Sequence, residues 1–299
     1  MKVSTTTDTM CRTYGDAEAL RRIAEIGYDA VDYGLFKYPM HGDLFTGPEA
    51  DFERYFEDLG RVAADAGLLI GQVHSPMPSY TGEADEDAYI LECQKKSIKA
   101  AYRLGAPYIV IHPCIPKAYR YEYYRAETRE INMKFYGALT PLLEETGVKL
   151  GVENMFNWDP VKKCICPTVC STAEEMIDYI DALGPQFVAC LDTGHAQLSG
   201  TGAAHMARLL GKRLQCLHVH DNNGTQDCHV APMLGYNGPS ALSSVVWTDF
   251  AAALKEIGYT GTLSLESDET QRMYGTNLLM DAMAFQLKIA RELARMCEE

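Results

Sequence analysis

One pattern recurs along this chain: an amphipathic helical stretch ends at a glycine, and a short apolar run follows. The junctions are Ile26-Gly27 before Ala30 to Asp32, Ala66-Gly67 before Leu68 to His74, Leu104-Gly105 before Pro107 to His112, and Thr146-Gly147 before Val148 to Glu153. Three more follow: Leu183-Gly184 before Phe187 to Asp192, Leu210-Gly211 before Leu214 to His218, and Ile257-Gly258 before Thr262 to Glu266. Each glycine suits a helix C-terminus, where the chain turns through the left-handed region. Phe52, Phe56, Leu59 and Ala63 fall on one helical face, as do Trp247, Phe250, Leu254 and Ile257. Runs such as Tyr108-Ile109-Val110-Ile111 are short, β-branched and continuously apolar, as parallel strands buried on both faces read.

These seven units, an opening strand at about Lys2 to Thr6 and a closing helix at about Thr276 to Cys297 predict an α/β fold, a (β/α)8 TIM barrel forming one domain over 1–299. The rival is a doubly wound sheet, which often carries a Gly-rich phosphate loop after its first strand. Thr7-Asp8-Thr9-Met10-Cys11-Arg12 is no such loop.

Net charge is −14, which opposes nucleic acid or an anionic membrane as the main partner. Met1-Lys2-Val3-Ser4-Thr5 leads into polar residues with no apolar core of a signal peptide, and no apolar run is long enough to span a membrane. A cytoplasmic location is expected. The ten cysteines then read as reduced thiols, with Cys93, Cys190 and Cys216 inside apolar runs.

The chemistry collects where the strands end. The predicted strands finish at His74, His112, Glu153, Asp192, His218 and Glu266, with His195 and the run Asp227-Cys228-His229 in adjoining loops. An apolar strand ending on such a group places it at the barrel mouth, where barrel enzymes keep their active sites. One strand-end histidine alone is an ordinary polar cap. Nine imidazoles and carboxylates converging on one rim form a ligand set for a divalent metal (Mn, Zn, Co or Mg), with room for more than one ion. Without a cation, the clustered acids would repel one another.

The runs Val152-Glu153-Asn154, Leu191-Asp192-Thr193-Gly194-His195, His218-Val219-His220-Asp221-Asn222 and Leu265-Glu266 together resemble the xylose-isomerase-like TIM barrels. That superfamily includes sugar isomerases, ketose 3-epimerases, inosose dehydratases and endonuclease IV. Resemblance to the epimerases implies metal ligands at Glu153, Asp192, His218 and Glu266, with Glu153 and Glu266 also the catalytic acid/base pair and His195 binding substrate. Resemblance to endonuclease IV implies further ligands at His74, His112, His195, Asp227 and His229. The chain departs from the epimerases after its seventh barrel strand. There they place a substrate-holding arginine, and here Asp227 and His229 stand.

The expected function is a metal-dependent sugar or sugar-phosphate isomerase or epimerase, abstracting a proton through a metal-stabilised enediolate. The expected partner is a small carbohydrate, with a homo-oligomer as the assembly to look for; the acidic charge favours a neutral sugar. The alternatives are an endonuclease IV-like phosphodiesterase on abasic DNA and a non-catalytic sugar-binding barrel. Around the mouth, Trp158 is a candidate pocket wall, and Tyr119, Tyr121, Tyr123 and Tyr124 are either pocket wall or helix start. His220 shares a strand face with His218 and is a candidate support for the ligands, not a ligand itself. His41 follows the second strand and is a weaker candidate for the mouth. Trp247 is expected in the core and His205 on an outer helix. Cys164, Cys166 and Cys170 are expected as mobile reduced thiols in a loop, with a metal site the alternative.

Overall fold

A computed structural model of the chain describes residues 1–117, 120–235 and 242–299. Tyr119 lies outside them. Eight parallel strands form the barrel: β1 (Val3–Thr6), β2 (Ala30–Gly34), β3 (Leu69–His74), β4 (Tyr108–Ile111), β5 (Lys149–Glu153), β8 (Phe187–Asp192), β9 (Leu214–His218) and β10 (Leu263–Leu265). Two short strands, β6 (Phe156–Asp159) and β7 (Cys164–Pro167), pair antiparallel between β5 and β8. Neighbours run β10-β1-β2-β3-β4-β5-β8-β9. The ring closes just past β9, where Val219 N–H donates to Ser264 O and Glu266 N–H donates to Val219 O. The fold is the expected TIM barrel.

Most strand ends lie within a residue of expectation. His112 and Glu266 each fall one residue beyond their strands. The closing helix spans Leu279–Glu298, preceded by a 3-10 turn over Thr276–Leu278. Where a loop phosphate site was ruled out after β1, the chain forms a helix, Asp8–Tyr14.

The period-2 rule sorts every strand into two faces. One set, including Val3, Val31, Val73, Ile109, Val152, Leu191, Leu217 and Leu265, belongs to the large core shared with the helices. Phe52, Phe56, Phe250 and Trp247 meet it from the helix side. The other set fills the barrel. Val110, Val188, Cys190 and Cys216 form a separate apolar plug with Tyr108 packed against it. Gly151 completes this layer, since a Cβ there would sit 3.3 Å from Cys190 and 3.4 Å from Val110. The next residues of the same parity are His112, Glu153, Asp192 and His218. The alternation that packs the plug therefore raises the functional groups directly above it. All ten cysteines are unpaired, and no described helix is long and apolar enough to cross a membrane.

Candidate active site

The mouth of the barrel opens into a cavity of about 660 Å³. Glu153, His74, His112, His195, Asp227, His229 and Glu266 line it, with Phe36, Met155, Phe156 and Trp158 as its apolar walls. Asp192 and His218 lie beneath, fully buried.

Glu153, Asp192, His218 and Glu266 converge so that one ligand atom from each lies within 4.8 Å of the others. His218 Nδ1 is 3.1 Å from Glu153 Oε1 and 3.4 Å from Glu266 Oε2. Its Nε2 is 3.0 Å from Asp32 Oδ2, an ion-pair contact without hydrogen-bond alignment. Gln72 Nε2 donates to the same Asp32 oxygen at 2.8 Å. Glu153 Oε2 and His218 Nδ1 have no hydrogen-bond partner, although both are buried. A buried polar atom left unpaired is costly. A cation bound by these four side chains would satisfy both atoms, so the residues fit a divalent metal.

The histidine tautomers point the same way. His74 Nδ1 donates to Ser75 O at 3.1 Å, His195 Nδ1 to Asn154 O at 2.9 Å, and His229 Nδ1 to Glu266 O at 3.0 Å. A backbone carbonyl can only accept, so each ring keeps its proton on Nδ1 and turns Nε2 toward a carboxylate of the mouth. This is how metal-binding histidines are oriented by the groups behind them.

Two further groups adjoin the first. His74, His112 and Glu153 form one; His195, His220, Asp227 and His229 form the other. In the second, Asp227 Oδ2 lies 3.3 Å from His195 Nε2 and 3.0 Å from His229 Nε2. His220 stacks on His229 with ring centres 4.0 Å apart, and its Nε2 touches both Asp192 oxygens at 3.0 Å. His220 was expected only behind the ligands. It holds Asp192 as expected, and it also reaches the outer group.

Local chain geometry fixes these positions. Asp192 caps the short helix Thr193–Leu198, accepting from His195 N at 2.6 Å, which swings His195 back over the strand end. Asn154 clamps Asp192 from the neighbouring strand, accepting from its N–H and donating to its C=O. Gly194 is required by close approach: a Cβ there would lie 2.1 Å from the His220 ring.

The charges divide the site. Burial and the carboxylates Glu153 and Asp192 push Glu266 well above the usual carboxylate range, against the pull of His218 and His229. Glu153 is also buried, but His218 and His112 outweigh that and hold it well below the range. Asp192, against its burial, is drawn down to about 2 by His195 and His220. Burial pushes His74 down to about 4. His229, despite burial, is raised to about 10 by Glu266 and Asp227.

All nine residues expected at the mouth are brought together there, and Trp158 lines the cavity at 47% exposure on the β6–β7 hairpin. Other candidates go elsewhere. His41 stacks on Tyr89 and pairs with Glu86 at 2.8 Å, outside the cavity. Tyr121 is buried, its hydroxyl donating to Glu175; Tyr123 is exposed, and neither it nor Tyr124 lines the mouth. Cys164 and Cys166 sit on β7 rather than in a loop, Cys170 is buried, and none joins a metal-holding group among the described residues. Trp247 is in the core and His205 on an outer helix, as expected. Asp32 was missed, although an acid inside the apolar run Val31-Asp32-Tyr33 is itself a signal. Asp8 and Arg12, also at the mouth, were read only as the absence of a phosphate loop.

Residues 20–289 match the family model described as a xylose isomerase-like TIM barrel. The chain belongs to this family. It is 31% identical over 182 residues to the uncharacterized protein MJ1311 of Methanocaldococcus jannaschii, a match covering 59% of this chain and 56% of that protein. It is 30% identical over 129 residues to the D-psicose 3-epimerase of Enterocloster bolteae, covering 43% and 36% respectively. The chain thus matches about half or less of the length of these relatives. Among solved structures, the IOLI protein with a bound zinc atom superposes with a TM-score of 0.71 at 16% identity, covering 100% of this chain and 98% of that one.

Proposed function

We propose that the protein is a metal-dependent sugar isomerase or epimerase. The observation that carries this reading is the pair Glu153 and Glu266, which flank one buried ligand group with their acidities pushed in opposite directions. Paired carboxylates driven apart in this way are suited to complementary acid and base roles. Membership of the family and the likeness to a D-psicose 3-epimerase support it.

Glu153, Asp192, His218 and Glu266 would hold the metal, and their mixed carboxylate and imidazole set suits Mn, Zn, Co or Mg. When bound, such an ion polarises a sugar carbonyl and its neighbouring hydroxyl, acidifying the C–H between them. Glu153, held ionised, takes the proton from that carbon. Glu266 would return a proton from the other side, and the exchange between the two sides sets the stereochemistry or moves the carbonyl. His195 positions a substrate hydroxyl through Nε2, the nitrogen that faces the mouth beside Asp227 while Nδ1 is bonded to Asn154 O. Phe156 and Trp158 pack against the C–H face of the sugar. The acidity of the chain favours a neutral sugar over a phosphorylated one.

The test is solvent exchange. Metal-reloaded protein is incubated with a panel of ketoses and aldoses in deuterated water, and deuterium at the carbon next to the carbonyl is read by mass spectrometry and NMR. Incorporation is expected with at least one sugar and is lost on chelation. No incorporation with any of them would count against proton transfer.

A second reading, phosphodiester hydrolysis at an abasic site in DNA, is favoured by one observation: ligands for more than one cation adjoin in the same mouth. The net charge of −14 weighs against a polyanion. Salt-sensitive binding and cleavage of an abasic duplex would reverse the ranking.

A further inference from the structure

Beside the main cavity lies a second one of about 270 Å³. The two share a wall made of Asp8, Arg12 and Arg272. The smaller cavity is otherwise lined by Thr9, Gln271 and Leu279, among others. We infer that it is a second sugar subsite, so that the substrate is a two-unit glycoside whose reacting ring occupies the main cavity and whose second ring lies here. This rests on the sugar isomerase or epimerase reading above.

Three polar atoms on this wall are buried without a hydrogen-bond partner: Asp8 Oδ1, Thr9 Oγ1 and Gln271 Oε1. Gln271 is 1% exposed, and among the described residues its side chain makes one long bond, from Nε2 to Thr5 Oγ1 at 3.4 Å. Unpaired buried acceptors call for donors, and sugar hydroxyls supply them. Arg12 makes no hydrogen bond or ion pair with any described residue and offers donors of its own. Leu279 adds an apolar lining of the kind the C–H side of a sugar ring packs on.

The charges exclude a doubly anionic ligand. Arg272 is already paired with Asp268 and Glu269, and Asp8 stands in the shared wall. Those three carboxylates outnumber the two arginines. The approach of Asp8 is built in: its carboxyl packs so closely on β2 that a Cβ on Gly34 would lie 1.8 Å from Oδ2. The main cavity, at about 660 Å³, is within the roughly 300–1,000 Å³ that holds drug-sized ligands. The two cavities adjoin at Asp8, Arg12 and Arg272, and a substrate longer than one ring would cross there.

Calorimetry tests this with D-fructose and three glucosyl-fructose disaccharides of different linkage: isomaltulose, maltulose and trehalulose. At least one disaccharide is expected to bind roughly tenfold tighter than fructose, the gain that one or two net hydrogen bonds supply. Thr276→Trp, which fills the subsite from its rim, should erase that preference while leaving fructose binding unchanged. Thr13→Trp fills it from another side and serves if the first variant does not fold. Equal or weaker binding of all three disaccharides overturns the subsite, and so does a preference that survives both plugs. Deuterium exchange into fructose reports the chemistry separately. Exchange without disaccharide preference leaves the epimerase reading standing and removes the subsite; preference without exchange for fructose or any disaccharide does the reverse.

Discussion

Glu153 and Asp227 are both carboxylates ringed by histidines in one barrel mouth, yet they stand in different situations. Asp227, a quarter exposed, places one oxygen within reach of both His195 and His229. Those two histidines hold their protons well above the usual imidazole range despite their burial, drawn up by the carboxylates around them. The outer group therefore supplies its own positive charge. Glu153, 1% exposed, has His74, His112, His195 and His218 within 3.4 Å of its oxygens, and Asp192, Glu266 and Asp32 stand around His218. The group of Glu153, Asp192, His218 and Glu266 sets three carboxylates against one imidazole, and Glu153 Oε2 and His218 Nδ1 are unpaired. The outer group inverts that ratio, with Asp227 among His195, His220 and His229, although Asp227 Oδ1 is unpaired there too. We propose the deep group as the metal centre on that excess of carboxylates over imidazoles, more than on the presence of ligand types.

The largest effect should come from the deep pair. Glu153→Gln and Glu266→Gln each keep an oxygen ligand and lose the ionisable group. Turnover of an exchanging sugar should fall by roughly 10²–10⁴-fold, as on loss of a general acid or base, with the metal still bound by elemental analysis. Near-normal turnover in either variant with its metal in place would remove the two-carboxylate mechanism.

Next in size is the support behind His218. Asp32→Asn leaves the shape of the buried pair and removes the charge facing His218 Nε2. Metal affinity, measured by competition with a chelator, should weaken by about 10–100-fold, the usual cost of losing such a partner. The equivalent change at Asp227 should leave affinity of the first metal within a few-fold. Reversal of that order would mean the outer group is the primary site.

The smallest effect is on stability and pH. In chelator-treated protein, the folded-state value of His229, about 10, exceeds the ordinary 6.5. Its charge therefore contributes stability that is complete below about pH 6.5. That contribution is lost as pH rises through about 10. The urea midpoint should fall over this window, and Asp227→Asn should flatten the fall. An unchanged slope would show that the outer network carries no such charge.

How much of this was legible in the sequence follows from periodicity. The glycine-ended helices and buried strands placed seven of the eight strands to within about a residue at each end, because a barrel repeats one unit with one burial rule. β2 ran two residues longer, to Gly34. Parity did the rest: Glu153, Asp192 and His218 end strands whose alternate residues fill the barrel, so their inward direction was implicit. The β6–β7 hairpin was not legible. Its strands are four residues each, too short for a period to show, and Cys164 and Cys166 consequently read as loop thiols. Asp32 ends the second predicted strand, but a lone acid closing a run of three residues reads as an ordinary polar cap, and only the extension of β2 to Gly34 shows it enclosed. Asp8 and Arg12 share one helix, and Gln271 comes from a distant stretch of chain. Only the closure of β1 against β10 brings them to one wall, and no local pattern announces that.

The claim that the deep group is the metal centre is tested most directly by locating the metal. Protein reloaded at neutral pH with zinc or manganese should show one tightly held equivalent, with its anomalous scattering peak between Glu153, Asp192, His218 and Glu266. His218→Ala should lose that equivalent, and His229→Ala should keep it. Three tight equivalents, or a single one that disappears with His229→Ala and survives His218→Ala, would contradict the account.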